Sequence, residues 1–139
     1  SRYEVIIEHY AKVLHIEAMT MLEMANKQLI PAATAYMSDV ASAAAAKMAV
    51  SEKLSCKAEN KVLERLSAAT DAMSDAVDAL DAAVESAESE TDSLEKAKAY
   101  RDKVLPAMAD LRTNADAAEV VCGEDYWPLP SYSKMLYYV

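Results

Sequence analysis

The residues with the most obvious capacity for chemistry are carboxylates. Asp71, Asp75, Asp78, Asp81, Glu85 and Glu88 follow one another in steps of three and four, which places them along one face of a helix. Such a ladder invites a divalent cation. Calcium sites, however, need a tight loop with a glycine turn and carbonyl ligands, and di-iron bundles need Glu-x-x-His on two helices. His9 and His15, the only histidines, offer no such pair, and six residues of separation put them on different faces rather than in a zinc-binding i, i+4 arrangement. The carboxylates therefore read as a solvated face and the histidines as packing or surface residues. Cys56 and Cys122 have no histidine at ligand spacing and read as reduced thiols, although two antiparallel helices would bring them to the same end, where a bridge could form adventitiously. With one glycine in the chain there is no phosphate loop, and no nucleophile elbow or Cys/His pairing is present. Neither catalysis nor metal binding has a home in these residues.

The elements that carry them follow from composition and period. The chain has 139 residues, 53% hydrophobic and 27% charged, with no Phe and an "AAAA" run at 43–46, a profile of long helices in a single domain. A net charge of -9 excludes nucleic acid as a partner, because phosphate binding requires clustered Lys and Arg. No apolar run reaches membrane-spanning length, and "SRYEVIIEHY" is not a signal peptide, so a soluble cytoplasmic protein is expected. A first residue of Ser rather than Met adds the expectation of a larger parent chain.

Helical spacing of Ile6, Val13, Met19, Leu22, Leu29, Ala33, Tyr36, Val40, Ala44 and Met48 predicts a first helix over about 3–49, kinked at Pro31. Met19, Met21 and Met24 fall on it as core filling. A break at "VSEKLS", with Ser51 as N-cap, precedes a second helix over about 52–88. Its seam runs Val62, Leu66, Ala69, Met73, Ala76, Leu80, Ala83 and Ala87. Asp92 and Glu95 stand at N-cap and N3 spacing and predict a reciprocal capping box opening a third helix over about 92–122. Its seam runs Leu94, Ala97, Arg101, Val104, Met108, Leu111, Ala115, Ala118 and Cys122, with Arg101 paired to an inward or flanking acid or snorkelling outward, and Gly123 predicted as a left-handed cap. Short connections make this an all-α, long antiparallel three-helix bundle. The first helix is the longest, so its apolar first turns are expected to overhang and to need cover from the tail or from a neighbouring domain.

The chain ends on "YWPLPSYSKMLYYV", which holds the only Trp, two of the four prolines and four of the eight tyrosines. Pro128 and Pro130 bias Trp127 and Leu129 toward extended geometry, so the segment reads as an aromatic strap, with a short last helix capped by Ser131. Trp127, Pro128, Pro130, Tyr132, Leu136 and Tyr137 are the candidate packing or interface residues.

Two stretches carry a resemblance. "RYEVIIEHYAKVLHIEAMTMLEMANKQLIPAATAY", residues 2–36, and "AYRDKVLPAMADLRTNADAAE" with the "YWPLPSYSKMLYYV" ending are similar to the C-terminal region of type III glutamine synthetases, the long bacterial form of that enzyme. The middle, about 38–90, matches only as Ala- and acid-rich helix. The resemblance implies a C-terminal fragment of an enzyme that ligates ammonia to glutamate through a γ-glutamyl phosphate, with ATP and divalent Mg or Mn, in a ring-based homo-oligomer. The family's catalytic and metal residues belong upstream, so the resemblance implies no catalytic, cofactor or metal position here. It implies instead a module for packing on the upstream catalytic domain, for assembly or for regulation. A free-standing helical interaction module is the competing expectation.

Overall fold

The computed structural model describes residues 1–129, and among these the secondary structure is entirely helical. The first rod consists of α1 (Arg2–Met24), a π-helical turn (Ala25–Leu29) and α2 (Ile30–Val50). A loop through Ser51 leads to α3 (Lys57–Glu88), an unbroken helix of 32 residues. The third rod repeats the plan of the first: α4 (Ser93–Ala99), a π turn (Tyr100–Val104) and α5 (Leu105–Val121). The rods lie antiparallel in sequence, and no helix among the described residues is long and apolar enough to cross a membrane.

Both π turns have the same cause. Pro31 and Pro106 each occupy the second position of the helix that follows. Proline lacks an N–H and clashes with the carbonyl four residues back. One widened turn relieves that clash, and the residue before each proline donates instead to a carbonyl five back, Ile30 to Ala25 and Leu105 to Tyr100. The feature expected as a kink at Pro31 is thus a π turn. Its counterpart at Pro106 changes the seam of the third rod. Tyr100 turns inward and is fully buried, whereas Arg101 is displaced to the surface and pairs with Asp102 at 2.7 Å. Arg101 has the flanking acid expected of it, but it does not belong to the seam.

The core is a stripe of small and branched residues. α3 contributes Leu66, Met73, Ala76, Leu80 and Ala87 as its spacing predicts, together with Val77 and Val84. The first rod departs from expectation at its start. Ala11, Leu14 and Ala18 are buried, while Ile6, Val13 and Met19 are exposed. The alanines let α1 approach α4 closely, and a seam of larger residues would hold the helices apart.

Ends and turns bring further corrections. Ser51 ends α2 and accepts from the Lys53 amide, and α3 starts at Lys57 after Cys56 rather than near 52. Asp92 caps α4 by accepting from the Glu95 amide, but Glu95 does not return the bond and reaches Lys98 instead. Gly123 has no left-handed backbone. Its role is close approach, since a Cβ there would stand 2.8 Å from the Tyr36 ring.

The overhang also has a different distribution. Glu8 meets Ser93, so only the first two turns of α1 extend past the third rod. At the other end the third rod finishes beside Tyr36 and Asp39, and the remainder of α2 pairs with the start of α3 alone. Between Ala33 and Leu66, both buried, no residue is buried. This two-helix arm is held by Lys47 and Glu59 at 2.8 Å and by the Cys56 thiol donating to the Ala44 carbonyl at 3.6 Å. Cys56 lies in the arm and Cys122 at the end of the third rod, and both are free thiols.

Candidate functional site

Two clusters tie the three rods together. The first is a polar node where α1 passes the turn between α3 and α4. Tyr100, fully buried, donates its hydroxyl to Glu88. That proton is then committed, so the 2.9 Å contact between Tyr100 and His15 Nδ1 is a bond donated by the imidazole. His15 Nδ1 also lies 3.2 Å from Glu88, and Lys96 approaches the same carboxylate at 3.5 Å. The Tyr100 hydroxyl foremost, then Lys96 and His15, hold the Glu88 carboxyl below its ordinary pKa against the opposing effect of burial. Burial, then the hydrogen bond to Glu88 and the Glu88 charge, push Tyr100 well above the usual phenol range. A cleft of about 370 Å³ opens beside the node, floored by Ala11 and His15 and edged by Lys12 and Lys96. Along it Ser93 donates to the Glu8 carboxylate at 3.3 Å in an exposed contact, and among the described residues no group of three or more His, Cys, Asp or Glu could hold a metal ion. The described residues therefore do not fit a divalent cation.

The second cluster is a clasp at the end of the third rod. After Cys122 the chain turns, with the Tyr126 and Trp127 amides donating to the Gly123 carbonyl at 2.9 and 3.2 Å. This carries Tyr126 onto α2, where its ring packs on Tyr36 with centroids 5.0 Å apart and its hydroxyl donates to Asp39. Trp127 is buried in the main core, Leu129 packs against it, and Pro128 is exposed. The Trp127 indole N–H has no partner among the described residues. Of the strap residues singled out from the sequence, Trp127 and Pro128 are thus placed. Pro130, Tyr132, Leu136, Tyr137 and the short helix expected from Ser131 lie outside the described residues.

Tyr100, Glu88 and Tyr126 were missed by sequence reasoning as functional positions, Glu88 having been read only as one rung of the solvated ladder. A usable signal exists for Tyr100. "NKQLIPA" and "RDKVLPA" share a proline at equal distance behind a polar turn, and recognising the second proline as the first would have rotated the seam onto Tyr100.

A solvent-exposed apolar flank completes the inventory. Tyr3, Ile6, Tyr10 and Val13, spaced three and four apart on α1, are 65%, 60%, 39% and 37% exposed. The described residues thus form an all-α unit with a polar node, a clasp and an exposed apolar flank on α1. Residues 1–48 match the family described as the glutamine synthetase C-terminal domain. The chain is also 36% identical over 137 residues to a glutamine synthetase of Butyrivibrio fibrisolvens, covering 99% of this chain and 20% of that protein. To a glutamine synthetase of Bacteroides fragilis (strain YCH46) it is 25% identical over 140 residues, covering 98% of this chain and 19% of that protein. The chain is a C-terminal region of the glutamine synthetase family, and it spans about a fifth of the length of the curated relatives it matches.

Proposed function

We propose that this single helical domain serves a type III glutamine synthetase as a non-catalytic packing and assembly element. In this reading an upstream catalytic domain of the same polypeptide, in the cytoplasm, ligates ammonia to glutamate with ATP and a divalent metal, while residues 1–139 bind neither. The observation that carries it is the Tyr3, Ile6, Tyr10 and Val13 flank on α1. Four large apolar side chains in a row on one helix edge are what a neighbouring domain covers, and nothing in the described bundle covers them. We assign the strap residues Pro130, Tyr132, Leu136 and Tyr137 to that packing, with homo-oligomer assembly as its outcome.

Polar substitution of the α1 flank in the full-length enzyme tests this. Ile6→Asp with Val13→Asp should loosen the contact with the catalytic region, measured as faster proteolysis at the junction and loss of oligomer mass, while the bundle keeps its helicity. Unchanged proteolysis and mass would place the flank outside any contact.

A further inference from the structure

A groove of about 760 Å³ is lined by α1, the first π turn and α3, with no residue of the third rod along it, so it opens on the side of the bundle turned away from that rod. Buried Leu22 and Val77 and exposed Ile16 and Met19 make it apolar. Glu23, Asp78 and Asp81 stand along it. Glu23 is paired with Lys27 at 3.3 Å, whereas Asp78 and Asp81 meet no cation among the described residues. Such a groove suits an occupant that is both apolar and basic.

The end of the two-helix arm has that character. Residues 47–57 carry one acid, Glu52, against Lys47, Lys53 and Lys57. Lys47 is held by Glu59, and Lys53 and Lys57 are exposed with no ion pair among the described residues. Met48 and Leu54 are exposed beside them. Met48 also faces the groove side of the molecule. It stands nine residues from Asp39, half a turn round the helix at about 100° per residue, and Asp39 is the residue that meets the clasp of the third rod. Ile30, Thr34, Met37, Ala41 and Ala45 share the face of Met48 within about 80° by the same count, and none of them is charged.

We propose that the arm end of one copy of this chain lies in the groove of a second copy, and reciprocally, so that two antiparallel copies close into a dimer. Groove and arm end are separated by about 44 Å along the first rod, counting ~1.5 Å per residue from Met19 to Met48. Two copies running in opposite directions therefore bring Met48 and Leu54 of each to Ile16 and Met19 of the other, and Lys53 and Lys57 to Asp78 and Asp81. The uncharged face of α2 lies between the two contacts. A two-fold pair uses the same patch on both copies and stops at two, whereas a one-sided insertion would leave a groove and an arm end free and would propagate. Two helices about 10 Å wide over about 44 Å present on the order of 900 Å² per copy, the size of a standard stable interface. The partner follows from charge complementarity, since the basic end and the acidic groove are both carried by this chain, in spite of the net charge of -9 on each copy. This goes beyond the packing role proposed above and does not depend on it, because Tyr3, Ile6, Tyr10 and Val13 do not line the groove.

Sedimentation of the 139-residue chain tests it. At about 0.1 M salt, where charges are screened only beyond roughly 10 Å, mass should rise with concentration and stop at the dimer. K53E/K57E makes the arm end acidic and D78K/D81K makes the groove basic, so each alone should associate at least tenfold more weakly. Mixed together they should recover a 1:1 heterodimer, because both contacts are then opposite in charge. Circular dichroism confirms that each variant is folded, and if a reversal unfolds, Met48→Asp at its exposed position should weaken the dimer likewise. Hydrogen exchange locates the contact: amides of residues 16–23 and 47–57 should slow together as concentration rises. A wild type that is monomeric at every concentration, growth past the dimer, or a mixture no better than either variant overturns the proposal. So does exchange that is independent of concentration, which would leave the groove to a segment of the same copy, and so does association that both reversals leave intact, which would belong to the α1 flank.

Discussion

Tyr100 shows how one side chain couples three helices. It stands on the π turn of the third rod, donates a hydrogen bond from its hydroxyl to Glu88 at the end of α3 and accepts one from His15 on α1. The pKa directions set the pH range in which this holds. Glu88 is depressed, so its stabilisation is present above about 4.5, its ordinary value, and is lost as pH falls through the lower folded value. Tyr100 is raised, so its contribution is complete below about 10 and is lost as pH rises toward the folded value. Thermal melts across pH should therefore fall away at both ends. Glu88→Gln should flatten the acid limb, and Tyr100→Phe should remove the alkaline component and weaken the acid one. A second residue-scale outcome concerns Gly123. A methyl group at 2.8 Å from the Tyr36 ring must displace it from Tyr126, so Gly123→Ala should destabilise by about 1–3 kcal/mol in denaturant titration. A left-handed glycine would have predicted the same sign for another reason, and disorder of the Tyr36–Tyr126 stacking in NMR spectra distinguishes the two.

Helices were legible in the sequence where one period ran uninterrupted. The seam of α3 is the clearest case: no proline or glycine breaks it, and its spacing alone placed Leu66, Met73, Leu80 and Ala87 in the core. The first and third rods were legible over most of their length, since Leu22, Leu29 and Ala33 in the first and Val104, Met108, Leu111, Ala118 and Cys122 in the third are buried as their spacing predicts, but the π turn of the third inserts an extra residue and shifts the seam locally. Arg101 exchanged places with Tyr100 for that reason. The start of α1 was misread for a different one: it has two apolar edges, and burial went to the edge with alanines, which permits the closer approach. The clasp was half legible, since the Trp-Pro pattern announced extended chain but not that Tyr126 would reach Asp39. Stability should be graded along the rods accordingly. The arm between Val40 and Val62 has no buried residue, so its amides should exchange hydrogen markedly faster than those of Leu66 to Ala87. Asp92→Ala, which removes the cap of α4, should cost about 1 kcal/mol.

At the scale of the whole molecule, structure and kinship point the same way. The bundle buries one continuous core, exposes an apolar edge at one end and extends a bare two-helix arm at the other. Among the described residues it has no cluster that could hold a metal. The chain spans a fifth of its relatives' length, and the function proposed above gives it the task of packing and assembly. The isolated chain, given ATP, magnesium, glutamate and ammonia, should form no glutamine by a coupled assay. The most direct measurement is made on the full-length enzyme with residues 2–139 removed, determining oligomer mass by light scattering and glutamine formation on the same sample. The account predicts a smaller assembly that retains the capacity for ligation when its subunits are brought together at high concentration. A truncated enzyme with its full mass and unchanged activity would contradict it.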